Sequence, residues 1–170
     1  MKMKSIIAIL FLVVIIGLSV FFLFEKVRQK EQKQEVYLSI PEFQLLDIYG
    51  NRITNKNLKQ ETVMFLFFNP DCDLCEEEIR QIQVYQADFS QSQIVFFSPV
   101  STNVILRFLQ KINFTPTQNI LFLSDENEFL TDKMDVKTTP AVYIYRKGKL
   151  IKRFDGSVKI ETLIRYLSTE

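Results

Sequence analysis

The sequence predicts an α/β sandwich built on a central mixed sheet, preceded by an N-terminal transmembrane helix. Three observations predict it. From about residue 40 onward, continuous apolar runs of strand length alternate with stretches whose apolar residues recur every three or four positions. The chain closes on a hairpin pattern and one further amphipathic helix, which is how a parallel core acquires antiparallel edge strands. It opens on a long uncharged run.

That opening run, SIIAILFLVVIIGLSVFFLF over 5–24, holds twenty residues without a charge. As a helix it would be roughly 30 Å long, the thickness of a bilayer's hydrocarbon core. A cleaved signal has a shorter apolar region and ends in small residues. This run ends on Phe21, Phe22, Leu23 and Phe24, which predicts an uncleaved anchor. The organisation that follows is a flank at 1–4, an anchor at 5–24, a juxtamembrane linker at 25–36 and a globular domain at 37–170. Lys2 and Lys4 precede the run, and Lys26, Arg28, Lys30 and Lys33 follow it, so charge alone leaves its orientation open.

Within the domain, PEFQLLDIYGNRIT reads as a hairpin turning at Tyr49-Gly50-Asn51. TVMFLFF at 62–68 reads as a strand buried on both faces, and Ile79, Ile82, Tyr85 and Phe89 mark the helix after it. QIVFFSP at 93–99 is a second buried strand. Ser101 can cap a helix carrying Val104, Ile105, Phe108, Leu109 and Ile112. NILFLSD at 119–125 is a third strand, and AVYIYRKGKLIKRF is a hairpin turning at Lys147-Gly148. Ile160, Leu163, Ile164 and Leu167 stripe the last helix.

Composition removes several functions. There is no histidine, so Cys–His and Ser–His–Asp mechanisms are excluded. A formal charge of +1 provides no basic surface for nucleic acid, and none of the four glycines forms a phosphate loop. The distinctive chemistry lies in the only two cysteines, Cys72 and Cys75, within NPDCDLCEEE.

Such a pair is a redox dithiol, half of a metal site or a coincidence. A structural zinc needs four ligands, and this chain has neither a second cysteine pair nor a histidine. A structural disulfide between residues three apart closes almost no loop and stabilises little. Position favours redox chemistry, because the pair directly follows a buried strand and opens a helix. A thiol there faces unpaired amides and the positive end of the helix dipole, which favour its thiolate. Cys72 then attacks, and Cys75, one turn deeper, resolves.

The chain resembles the thioredoxin-like fold, specifically the membrane-anchored thiol–disulfide oxidoreductases of the TlpA type. The resemblance runs from about Pro41 to Thr169. It is carried by FQLLDIYGNRIT, VMFLFFNPDCDLCEEEI, MDVKTTPAVYIYRKGKLIKRFDG and the final helix, and by the added helix and strand at 101–123. The resemblance implies that Cys72 and Cys75 form the redox-active disulfide and that Thr139-Pro140 is a cis peptide lying against it and facing the substrate. It implies that Glu78 relays protons at the deeper thiol. It further implies protein thiols or disulfides as substrate, a membrane or extracytoplasmic thiol reductant as electron donor, and no cofactor. The location it implies is the bacterial cytoplasmic membrane, single-pass, with the domain facing the periplasm or cell exterior.

Departures from the pattern are specific. Asp71 stands where an aromatic residue usually precedes the first cysteine, and Leu66 stands where plain thioredoxins bury an acid. Arg80 replaces a proline often found after the motif. A thiol peroxidase of the same fold would carry threonine or serine three residues before its cysteine, where this chain has Asn69. A non-catalytic binding or sensor module that keeps the fold is the other alternative. Asp71 and Asp73 bracket the attacking thiol and oppose a second negative charge, which predicts a reductant or isomerase rather than a strong oxidant.

Overall fold

A computed structural model describes residues 12–26, 28 and 37–168. The chain divides into two units, Met1–Glu35 and Val36–Glu170. In the first, residues 12–26 form helix α1, whose apolar side chains from Leu12 to Phe24 are exposed. Among the described residues no helix is long and apolar enough to cross a membrane. The expected anchor at 5–24 lies partly outside them, since 5–11 are not described. Most of the 25–36 linker also lies outside the described residues.

The second unit is the α/β sandwich. Its elements are β1 (Gln44–Asp47), β2 (Arg52–Thr54), β3 (Thr62–Phe67), α2 (Asp73–Val84), β4 (Ser92–Ser98), α3 (Thr102–Lys111), β5 (Ile120–Ser124), α4 (Phe129–Lys133), β6 (Ala141–Arg146), β7 (Lys149–Asp155) and α5 (Ile160–Ser168). The seven strands lie in the order β2-β1-β5-β4-β3-β6-β7. β3, β4 and β5 are mutually parallel, while β1, β2, β6 and β7 join antiparallel, so the sheet is mixed as expected.

Alternation along the central strands divides the core. Met64, Leu66, Ile94, Phe96 and Phe122 meet α2, α3 and α5 on one face. Val63, Phe65, Phe67, Val95, Phe97 and Tyr143 meet Phe43 and α4 on the other. Both faces being covered explains why these strands read as unbroken apolar runs. Aromatic rings fill much of the volume: Phe96 stacks on Phe122 at 4.3 Å, and Phe65 meets Phe97 edge-on at 4.9 Å.

Two turns set the hairpins. The Asp47 carboxylate accepts the amides of Tyr49 and Asn51, each at 2.8 Å, closing the first turn around Gly50. Lys147 and Gly148 both have positive φ, 50° and 76°, the geometry that matches a two-residue turn to strand twist.

Three details differ from the sequence expectation. The helix after the cysteines stops at Val84; Tyr85 leaves helical geometry and Phe89 enters the core from a 3-10 turn at Gln86–Phe89. Ser101 occupies the cap position of α3, but its side chain makes no capping hydrogen bond. Helix α4 has no periodic signal, being only five residues long. Its amides are held by a side chain before it: buried Asp125 accepts from Leu130 and Thr131 N–H at 3.1 and 2.8 Å.

Candidate functional site

The site forms at the carboxyl end of β3, where the chain turns from the buried strand into α2. Phe68 N–H bonds to Phe97 O, fixing the chain as it leaves the sheet. The Asn69 side-chain oxygen accepts from Asp71 N–H at 3.0 Å, and its backbone carbonyl accepts from Cys72 N–H at 3.0 Å. This tight turn places Cys72 at the cap of α2 with extended backbone (φ −101°, ψ 112°). Its sulfur accepts the Cys75 amide at 3.3 Å, filling the place that a serine or aspartate oxygen fills in an ordinary cap.

Both cysteines are free thiols. Cys72 is half-buried and Cys75 is fully buried. Burial, together with the hydrogen bond to Cys72, pushes the Cys75 thiol up to about 12. The two groups therefore differ in environment: one sulfur is accessible and held against an amide donor, and the other is enclosed, which favours its protonated form. This is the asymmetry that an attacking and a resolving thiol require.

The Thr139–Pro140 peptide is cis, and the Thr139 carbonyl oxygen lies 3.7 Å from the Cys72 sulfur, as the sequence resemblance implied. The loop holding it arrives from α4, 67 residues away along the chain. Pro140 lacks an N–H and sits immediately before β6, where no ladder donor is needed.

Glu78 lies one turn beyond Cys75 on the inner face of α2 and is 3% exposed. Neither carboxyl oxygen has a hydrogen-bond partner. Burial pushes this acid up to about 7 and outweighs the lowering by the Val158 amide, which approaches without hydrogen-bonding geometry. The side chain also lines a groove of about 470 Å³ between α2 and Ser157–Glu161. Glu78 follows Cys75 by three residues on the buried face of α2, and a carboxyl that titrates near neutrality is suited to proton exchange at physiological pH.

The acids of the motif take different parts. Asp71 and Asp73 are exposed on either side of Cys72. Glu76 is more than a helix-dipole partner: its carboxylate accepts from Arg80 at 2.9 Å and Lys111 at 2.9 Å, tying α2 to α3 and lowering its pKa. Glu77 bonds Gln81 at the surface. Among the described residues no group of three or more acids, cysteines or histidines is arranged to hold a metal ion.

Sequence reading weighed Asn69 only against a peroxidase hydroxyl and missed its part in the turn; it also missed Tyr143 and Arg153, which bond the backbone ahead of Thr139. Tyr143 donates to Met134 O at 2.8 Å and Arg153 to Asp135 O at 3.2 Å. An arginine two residues before an aspartate at the end of β7 was the only available signal.

The architecture defines a thioredoxin-like protein with a dithiol at the start of a helix. The model of the AhpC/TSA family matches residues 36–154, and the chain belongs to that family. It is similar to the thiol-disulfide oxidoreductase ResA of Bacillus cereus, with 23% identity over 98% of this chain and 96% of that protein. Its fold matches StoA from Bacillus subtilis with a TM-score of 0.62 and 21% identity, covering 75% of this chain and 98% of that one. It also matches a secreted Mycobacterium tuberculosis disulfide oxidoreductase homologous to Escherichia coli DsbE, with a TM-score of 0.64 and 18% identity over 74% of this chain and 94% of that one.

Proposed function

We propose that this chain is a membrane-tethered thiol–disulfide oxidoreductase that reduces or isomerises disulfides of extracytoplasmic proteins. One observation carries the reading: an accessible Cys72 sulfur lies between the Cys75 amide and the Thr139 carbonyl, with the deeper thiol and the unpartnered Glu78 carboxyl behind it. Cys72 thiolate attacks a substrate disulfide, forming a mixed disulfide and releasing one substrate thiolate. Cys75, losing its proton to Glu78, then attacks Cys72, releasing the second substrate thiolate and leaving Cys72–Cys75 oxidised. A thiol reductant at or outside the membrane restores the dithiol.

The turn before Cys72 disfavours a peroxidase reading. Asn69 stands at the position where a hydroxyl would meet peroxide, and its side-chain oxygen is already engaged with Asp71 N–H.

Tethering is supported by the uncharged run at 5–24. The proposed location is the bacterial cytoplasmic membrane, with the domain on its outer side. Two measurements test the proposal. The reduced protein should cleave insulin disulfides catalytically with a regenerating thiol, and Cys72→Ala should abolish turnover; absence of wild-type turnover would leave a non-catalytic binding module. A membrane-impermeant thiol reagent should label Cys72 in cells with an intact cytoplasmic membrane, whereas labelling only after lysis would reverse the orientation.

A further inference from the structure

We propose that Arg153 is a positioning residue for the redox site, holding the 135–140 loop so that the Thr139 carbonyl stays against the Cys72 sulfur. The inference rests on the thiol–disulfide reading above. The loop leaves α4 through Asp135, whose φ of 54° is left-handed, and it ends at Pro140, which has no amide to donate. Within it Lys137 pairs with the Asp135 carboxylate at 2.7 Å, while its two ends are held by groups outside it.

Arg153 supplies the central one. It pairs with Tyr143 across β6 and β7, and its guanidinium carbon lies 5.1 Å from the ring centres of both Tyr37 and Tyr143. One guanidinium nitrogen donates to Asp135 O at 3.2 Å and to the Asp155 carboxylate at 2.8 Å, and the adjacent Nε reaches the same carboxylate at 3.0 Å. Asp155 directly precedes Gly156, whose amide donates to Pro140 O at 2.8 Å. One side chain thus joins the start of the loop to the strand end that clips its finish. Beside it, the Tyr143 hydroxyl holds Met134 O, and burial pushes that phenol above its ordinary range, so it remains a donor. Lysine would keep the charge but cannot stack and span both acceptors as a planar fork does.

The chemistry follows from what the loop carries. In the dithiol, the Cys72 S–H can donate weakly to the Thr139 carbonyl; in the disulfide that donor is gone. Loosening the loop therefore destabilises the reduced form alone and makes the potential more negative. It also blurs the surface beside Cys72 that an incoming disulfide meets, raising KM more than it lowers kcat.

The test uses the full chain carrying Arg153→Lys, equilibrated with reduced and oxidised glutathione and read by thiol labelling. The expected result is an equilibrium constant for reduction lowered about threefold, or about 14 mV at 29.6 mV per tenfold. KM for a protein disulfide should rise about fivefold, with kcat within twofold of wild type. Ser92→Ala is the control, since it deletes a buried hydrogen bond to Leu167 O at the opposite end of the parallel strands from the loop. It should lower thermal stability and leave potential and KM in place. Wild-type potential and KM in Arg153→Lys, or equal shifts in Ser92→Ala, would overturn the inference. Should Arg153→Lys not fold, Asp155→Asn weakens the same fork and should move both quantities in the same direction by a smaller factor; no movement overturns the inference equally. A wild-type protein that turns over no disulfide would instead sink the functional reading, while the glutathione equilibrium would still report the loop's effect.

Discussion

Replacing Glu78 by glutamine separates the stability and the chemistry of one buried carboxyl. The acid's ordinary value is 4.5, and burial without a hydrogen-bond partner raises it to about 7 in the folded chain. At 1.36 kcal/mol per pH unit, that rise corresponds to about 3 kcal/mol between the two protonation states. The sign follows from proton binding. Between pH 4.5 and 7 the folded state holds a proton that the unfolded state has released, so stability falls as pH rises through this window and levels off above it. Glutamine cannot ionise and should remove that slope. Urea unfolding of the reduced protein from pH 4.5 to 8.5 should show wild type losing up to about 3 kcal/mol relative to Glu78→Gln. The two should lie within about 1–3 kcal/mol of each other at the acid end, where the amide's own unpaired groups dominate. Stopped-flow release of the second substrate thiol should slow by about 10²–10⁴-fold, the usual worth of a positioned proton acceptor. Parallel stability curves for the two proteins would refute the burial argument. An unchanged release rate would refute the role at Cys75.

Four further outcomes can be measured. Cys75→Ser should retain attack by Cys72 but not resolution, so a substrate protein should accumulate as a mixed disulfide on Cys72, visible as a reducible shift on gels. The reduction potential should lie nearer to about −270 mV than to about −120 mV. Asp71→Asn with Asp73→Asn should raise it by about 5–20 mV, the scale of exposed charge interactions, as measured against glutathione. Phe96→Ala, which empties one side of the 4.3 Å stack on Phe122, should cost about 3–5 kcal/mol in urea unfolding and leave the potential unchanged.

Much of the domain was legible because the signals are local. The runs at 62–68, 93–99 and 119–125 became β3, β4 and β5, and the glycines at 50 and 148 turned the hairpins where their positive φ is needed. The cysteines, the strand before them and the helix they open are contiguous, so the redox pair could be placed from neighbouring residues. What escaped was non-periodic or borrowed. Helix α4 is capped by Asp125 from outside its own span, and Tyr85 falls off the helix because the chain tightens into a 3-10 turn. The resemblance brought Glu78 forward as a functional acid, but its missing hydrogen-bond partners could be seen only once the 157–161 segment was folded over α2.

By itself the sequence determined the layered α/β class, the strand and helix order and the position of the dithiol, because side-chain period and strand-to-helix junctions are properties of adjacent residues. Tertiary structure alone decided the environment of the two sulfurs. The Thr139 carbonyl reaches Cys72 from 67 residues away, Cys75 is buried in the core on one face of the sheet, and Arg153 packs against two tyrosines that the sequence separates by more than a hundred positions. Desolvation and contact are sums over whatever the fold brings near, and no stretch of neighbouring residues contains those sums.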